Sequence, residues 1–268
     1  MDGSPAGCVF QTDLRVLEGE RMEQDQSSSA IRRIDARGAD HRALNACIRQ
    51  SGPDVEIVGA LGQRYIGDAM ERGTLTVRGT AGNALGAYLN GGRIVIYGNA
   101  QDAAGDTMND GEIIVHGSVG DTVGYSMRGG CIYVRDSAGY RAGVHMKAYG
   151  EKSPVLVIGG SCGSFLGEYQ AGGVIVVLGL DRPDEVLGYF CGTGMHGGAI
   201  YVRGNIRRER LPRQVRVCEA NREDLSRIEP YLQKYVTLFE RTIPDDGTPF
   251  WLLTPNSNDP YRQLYVAN

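Results

Sequence analysis

No apolar run in this chain approaches the roughly 18 residues a membrane helix needs, and its N-terminus, MDGSPAGCVFQTDLRVLEGE, lacks a basic n-region and an apolar h-region. Cytoplasmic residence with no membrane association is the expectation. Excess positive charge is missing too: 28 Lys and Arg stand against 32 Asp and Glu, a net charge of −4. No global basic field therefore draws the chain to nucleic acid or anionic membrane. The six cysteines, Cys8, Cys47, Cys131, Cys162, Cys191 and Cys218, contain no Cys-x-x-Cys pair. That argues against an iron–sulfur cluster or structural zinc held by this chain. His41, His116, His145 and His196 share no spacing suited to a metal pair or a catalytic dyad.

Glycine, by contrast, is abundant, with 39 residues and no collagen period. Its spacing carries the architecture, because from Asp54 to Arg203 the chain repeats every nineteen residues. Four copies, here coils 2 to 5, run without a gap: TLTVRGTAGNALGAYLNGG from Thr74, RIVIYGNAQDAAGDTMNDG from Arg93, EIIVHGSVGDTVGYSMRGG from Glu112 and CIYVRDSAGYRAGVHMKAY from Cys131. A degenerate coil 1 precedes them at Asp54, and coils 6, 7 and 8 follow from Val155, Val174 and Ala199. A unit of this size cannot bury its own apolar face, so self-similarity at a fixed period means stacked units around a continuous core. One clear strand per unit and no 3.6 period select a β-helix over a leucine-rich or helical repeat.

The columns agree. Positions two and four alternate as buried strand positions should: Leu75 and Val77, Ile94 and Ile96, Ile113 and Val115, Ile132 and Val134, Leu156 and Ile158, Ile175 and Val177, Ile200 and Val202. Ala81, Ala100, Val119, Ala138 and Cys162 form an eighth column, Leu85, Ala104, Val123, Ala142 and Leu166 a twelfth, and Leu89, Met108, Met127, Met146 and Gln170 a sixteenth. The methionine ladder aligns with Leu89, so it reads as core packing rather than a soft-metal site. Glycines stand at the corners, with Gly86, Gly105, Gly124, Gly143 and Gly167 in one column, where positive φ or close backbone approach is expected.

The expected fold is therefore all-β, a parallel β-helix of about seven to eight coils over residues 53–205. Residues 1–52 form an N-terminal arm with a polar, Ser-rich stretch near Gln24 to Ser29 and then a short helix. Asp40 caps that helix, Leu44, Cys47 and Ile48 share a face, and Gly52 ends it. Residues 206–268 form a C-terminal extension. The basic segment IRRERLPRQVRV leads into an amphipathic helix bearing Leu225, Ile228, Leu232, Tyr235, Val236 and Phe239, with a kink or restart expected at Pro230. An extended tail from Pro244 follows, whose aromatics Phe250, Trp251, Tyr261 and Tyr265 must dock on something. Insertions at 150–154 in coil 5 and 180–190 in coil 7 are expected to leave the cylinder as loops that carry contacts.

Candidate chemistry is sparse. Gly192 to Gly197 spells G-x-G-x-x-G, but a strand follows where the dinucleotide fingerprint needs a helix N-terminus, so no cofactor is assigned there. Cys162 and Cys191 fall in core columns and read as small apolar residues rather than nucleophiles. Glu168 places one carboxylate at a corner with no second beside it for acid–base work. Two sets of residues are candidate partner contacts. Arg141, His145 and Lys147 lie in the densest polar run of the repeat. Val155, Val157, Val174 and Val176 make the outward face of coils 6 and 7 apolar, which implies a cover, either the C-terminal helix or another polypeptide.

The segments GNALGAYLNGG, GDTMNDGEIIVHG, GGCIYV, GEYQAGGVIVVLG and GTGMHGGAIYVRG resemble the GXGXG domain of glutamate synthase. In that family the domain is a right-handed β-helix of the large subunit, so the resemblance implies a right-handed parallel β-helix here, and stand-alone chains of this kind occur in split glutamate synthases and in N-methylglutamate synthase. A related β-helix serves as one of the subunits of formylmethanofuran dehydrogenase. The resemblance implies a structural subunit partnered with a glutamine-dependent amidotransferase and an FMN-binding synthase chain. FMN and the iron–sulfur cluster are then expected on those partners, with no catalytic, cofactor or metal residue in this chain. Alternatives are a formylmethanofuran dehydrogenase-type scaffold and a free-standing ligand-binding β-helix. Isolated from its partners, the chain is a candidate homo-oligomer.

Overall fold

The computed structural model describes residues 31–256 and the backbone of 16–17; the expectations for the Ser-rich stretch, Cys8, Tyr261 and Tyr265 fall outside the described residues. The strands are β1 (Val16–Leu17), β2 (Arg32–Asp35), β3 (Asp54–Leu61), β4 (Thr74–Thr80), β5 (Asn90–Tyr97), β6 (Asp110–Val115), β7 (Cys131–Val134), β8 (Val155–Ile158), β9 (Ala171–Val177), β10 (Gly197–Arg203), β11 (Val215–Glu219) and β12 (Phe250–Pro255). The helices are α1 (His41–Gln50) and α2 (Arg222–Phe239). All strands lie in one sheet ordered β1 to β10, then β12, then β11. Pairing is parallel from β2 to β10, and it is antiparallel only at the two ends of the stack. This is a parallel β-solenoid.

Register follows the nineteen-residue period. Leu75 sits beside Ile94, Ile94 beside Ile113, and the same column continues through Ile132, Leu156, Ile175 and Ile200. A second, thinner ladder of single bridges links Ala81, Ala100, Val119, Ala138, Cys162 and Leu187 across the cylinder. The inward residues of both ladders, with Leu85, Met108, Met127 and Met146, form one buried core along the axis. Each fully buried large side chain contributes roughly 1.5–3 kcal/mol, which is what holds neighbouring coils together.

The insertion in coil 7 is shorter than the spacing suggests. Val186 and Leu187 are buried, and Leu187 bridges Cys162 in the eighth column. Only the stretch before Val186 leaves the cylinder, because the chain regains its core positions as soon as an apolar pair permits. The insertion in coil 5 folds back on itself, with Tyr149 and Lys152 exchanging backbone hydrogen bonds.

The sheet begins before the boundary at residue 53. β2 pairs in parallel with β3, and α1 is the crossover between them. Asp40 caps α1 by accepting from Arg42 N–H and Ala43 N–H, and Leu44 and Ile48 drop onto the first core layer. Among the described residues no helix is long and apolar enough to cross a membrane.

Past β10 the chain ends the stack with strands of opposite direction. β12 pairs antiparallel with β10, and β11 with β12. The docking expected for Phe250 and Trp251 is thus strand pairing, reinforced by Trp251 Nε1 donating to Gly204 O at 2.9 Å. Arg203, buried, donates to Asp246 Oδ1 at 2.6 Å and to Pro244 O, tying the segment before β12 to the last coil.

α2 opens with a capping box between Asn221 and Asp224 and buries Ile228, Tyr235 and Phe239. It runs through Pro230 as a single helix, with no restart. Proline forfeits one hydrogen bond there, but burial of both flanking turns keeps the helix continuous. α2 covers the outward face of the strands, in a cluster that includes Ile114, Tyr133, Val155, Val157, Val176 and Tyr201.

Candidate functional site

The side of the cylinder opposite α2 is built from corners, and its geometry starts with the backbone. In coil 2, Ala84, Gly86 and Tyr88 all have positive φ, and the equivalent residues recur in every full coil; in coil 5 they are Arg141, Gly143 and His145, at +55°, +68° and +56°. Left-handed backbone costs a non-glycine residue about 1–3 kcal/mol. Here hydrogen bonds to both neighbouring coils enforce it. Arg141 N–H donates to Ser164 O and His145 N–H to Glu168 O on one side, while Gly143 N–H donates to Val123 O on the other.

This alternation aims the side chains at the eleventh and fifteenth positions outward, one above another. Arg141 pairs with Glu168 at 3.0 Å and lies 5.4 Å over the Phe165 ring. Phe165 stacks on Phe190 at 5.2 Å, and Arg210 lies 4.5 Å over the neighbouring Tyr189. In the parallel column His145 stacks on Tyr169 at 5.2 Å, with Tyr125 edge-on at 6.0 Å. Tyr125, Tyr140, Tyr169, Tyr189 and Phe190 are exposed, so coils 4 to 7 present an aromatic strip edged with cations. Lys147 is exposed beside it and makes no ion pair among the described residues. The structure therefore brings Arg141 and His145 into one strip with Lys147 at its margin. The aromatic members escaped the sequence reading, although columns ten, eleven, fourteen and fifteen of the repeat align them.

The four valines fare differently. Val155, Val157 and Val176 are buried and Val174 is partly buried, all within the cluster that α2 closes. As partner contacts they are corrected, since the chain's own helix is the cover. One residue permits that close approach: a Cβ on Gly159 would lie 1.8 Å from the Tyr235 hydroxyl. That hydroxyl donates to Arg135 O at 2.7 Å. Burial pushes its pKa up to about 12, so it stays protonated and donating.

Reactive groups are spent on structure. Cys162 and Cys191 lie in the core, where burial pushes both thiols up, Cys191 to about 12. A thiolate nucleophile at neutral pH is therefore disfavoured at either position. Glu168 is engaged by Arg141. Gly192 to Gly197 opens no helix; β10 starts at Gly197, and His196 Nδ1 rests 3.2 Å from Gly194 O. Among the described residues no three His, Cys, Asp or Glu side chains gather as metal ligands would.

A cavity of about 430 Å³ opens at the N-terminal mouth of the cylinder, beside α1, over Met70 and Leu75. Arg49, Arg72, Asp68 and Glu71 ring it, and Arg49 and Asp68 pair across 3.0 Å. Asn45 in its wall is satisfied, donating to His41 O and accepting from Gly67 N–H. The space is large enough for a small polar molecule.

Comparison with known proteins agrees with this architecture. The model of the GXGXG motif family matches residues 26–246, which takes in the solenoid and α2. An uncharacterized protein of Methanocaldococcus jannaschii, MJ1350, is 41% identical over 253 residues, covering 88% of this chain and 96% of its own length.

Proposed function

The chain belongs to the GXGXG motif family, that of the glutamate synthase large-subunit domain, and on that premise we propose that it is a non-catalytic structural subunit of a glutamate synthase-like oxidoreductase complex. In this reading a glutamine-dependent amidotransferase and an FMN-binding synthase chain with its iron–sulfur cluster are separate polypeptides, and this chain braces them. The observation that carries the reading is the contrast between a core filled by apolar columns, interrupted by the buried Gln170, and an exterior strip of exposed aromatics. Aromatic side chains are enriched at protein–protein contacts because they bury large area at low entropic cost. Scaffolding needs such a surface and no reactive group.

Affinity purification of the tagged chain from its native host tests this. An amidotransferase chain and a flavoprotein chain should co-elute, identified by mass and by released FMN. Recovery of the tagged chain alone would sink the proposal.

The cavity beside α1 favours a second reading, a free-standing ligand-binding β-helix. Ligand binding or glutaminase activity by the purified single chain, lost in Arg72→Ala, would support it.

A further inference from the structure

The two ends of the stack are finished differently, and the C-terminal one leaves backbone unspent. Ala220 N–H donates to Phe250 O at 2.8 Å and Asn256 N–H to Gln214 O at 3.0 Å. Between these, Arg216 lies opposite Thr254 and Cys218 opposite Leu252. Residues of an antiparallel pair alternate between bonded and non-bonded positions, so Gln214, Arg216, Cys218 and Ala220 direct their N–H and C=O groups at β12. Val217 and Glu219 direct theirs away from it. β11 is the last strand of the sheet, so among the described residues no strand receives them.

Charge gathers at the same rim. Residues 205–219 hold five arginines against two glutamates, in a chain of net charge −4. Arg210 is engaged by Glu185 and Tyr189, and Arg208 lies 5.5 Å over the Trp251 ring. Arg207, Arg213 and Arg216 are exposed and make no ion pair among the described residues. An open strand edge selects another extended backbone, and free guanidinium groups select carboxylates. Like charge disfavours the same edge of a second copy.

We propose that β11 takes up an extended acidic segment of a partner polypeptide as one more strand. The segment's backbone pairs with Val217 and Glu219, and its carboxylates meet Arg207, Arg213 and Arg216. This deepens the scaffold reading, on which it rests, by naming where a partner joins.

A synthetic peptide of about eight alternating valine and glutamate residues, the length of an ordinary strand, tests the surface. It would be titrated against the full chain by fluorescence anisotropy, with amide hydrogen exchange followed at Val217 and Glu219. Binding should weaken as salt rises, and exchange at those two amides should slow by about tenfold or more. Val217→Pro removes an outward donor that no described strand uses; the variant should still fold, with thermal unfolding lowered only by the lost packing of a half-buried valine, while affinity falls about tenfold or more, at least ~1.4 kcal/mol. Arg213→Glu with Arg216→Glu should abolish binding.

Equal binding of a lysine-for-glutamate peptide, unprotected amides, or full affinity in the folded Val217→Pro variant would each overturn the proposal. So would competition by inorganic phosphate as effective as by peptide, since it would mark an anion site instead of a strand site. Peptide binding with no amidotransferase or flavoprotein in the native purification would fault the complex and spare the surface. Co-elution of both without peptide binding would do the reverse.

Discussion

The two long faces of the cylinder solve opposite problems. On the strand face, coils 6 and 7 carry valines outward and the chain covers them with α2, so the apolar residues there serve stability. On the corner face, left-handed backbone turns tyrosines and phenylalanines outward and no described element covers them. Apolar side chains alone therefore do not identify a binding surface; what matters is whether the chain supplies its own cover. Side chains should be expensive to truncate on the first face and cheap on the second, whereas backbone changes should be expensive on both.

The largest expected difference is between two tyrosines. Tyr235→Ala removes a fully buried ring and should cost about 3–5 kcal/mol in urea unfolding. Tyr169→Ala, on the exposed strip, should cost less than about 1 kcal/mol. Equal losses would break the comparison. Tyr235→Phe, which keeps the ring and deletes only the hydrogen bond to Arg135 O, should lose about 1 kcal/mol.

Next in size is a change on the corner face that should not be cheap. At Gly143 φ is +68°, and a Cβ would come within 2.5 Å of Ile175 Cδ1. Gly143→Ala should cost about 1–3 kcal/mol even though Arg141 and His145 on either side of it are exposed. A neutral result would mean that the corner backbone is looser than its inter-coil hydrogen bonds imply.

The smallest effect is electrostatic and belongs to the end of α2. His116 stacks on Tyr97 at 4.6 Å and meets Phe239 edge-on at 5.1 Å. Burial first, then the charges of Arg135 and Arg93, hold its pKa below the ordinary value. The unfolded chain therefore takes up this proton first as pH falls. The contribution is intact above about pH 6.5 and is lost as pH drops through that value toward the folded pKa. Between pH 7.5 and 5.5 the urea midpoint of His116→Phe should fall less than that of the parent chain; an equal fall would remove His116 from the account.

The fold is legible in the sequence where one residue type answers one requirement. Ile94, Ile113 and Ile132 recur because an inward strand position accepts little else, and Gly86, Gly105 and Gly143 recur because their backbone is left-handed. The neighbouring left-handed positions are not legible there, since Ala84, Thr122, Arg141 and Phe165 have no property in common. Their conformation is imposed by hydrogen bonds from adjacent coils, which no single window of sequence displays. β11 was hidden for a related reason: RQVRV reads as a basic linker until β12, more than thirty residues later, arrives to pair with it. For the candidate site, Arg141 and His145 were visible as a polar cluster, whereas their aromatic neighbours came from other coils. Gly159 did hold a clue. It occupies the fifth strand position, where Arg78, Tyr97, His116 and Arg135 stand in other coils, and it marks the spot where Tyr235 of α2 reaches the strand backbone.

A stack in which each layer touches only the next can fray from its ends one layer at a time. α2 changes that, because it shares one apolar cluster with β6 through β10 and holds Glu112 through Lys234, while Arg241, just past its end, holds Asp136. Peeling away the last layers requires lifting the helix from the middle ones as well. The C-terminal half of the molecule should therefore exchange its amide hydrogens as a single cooperative unit, while the layers ahead of β6 open progressively from the N-terminal end.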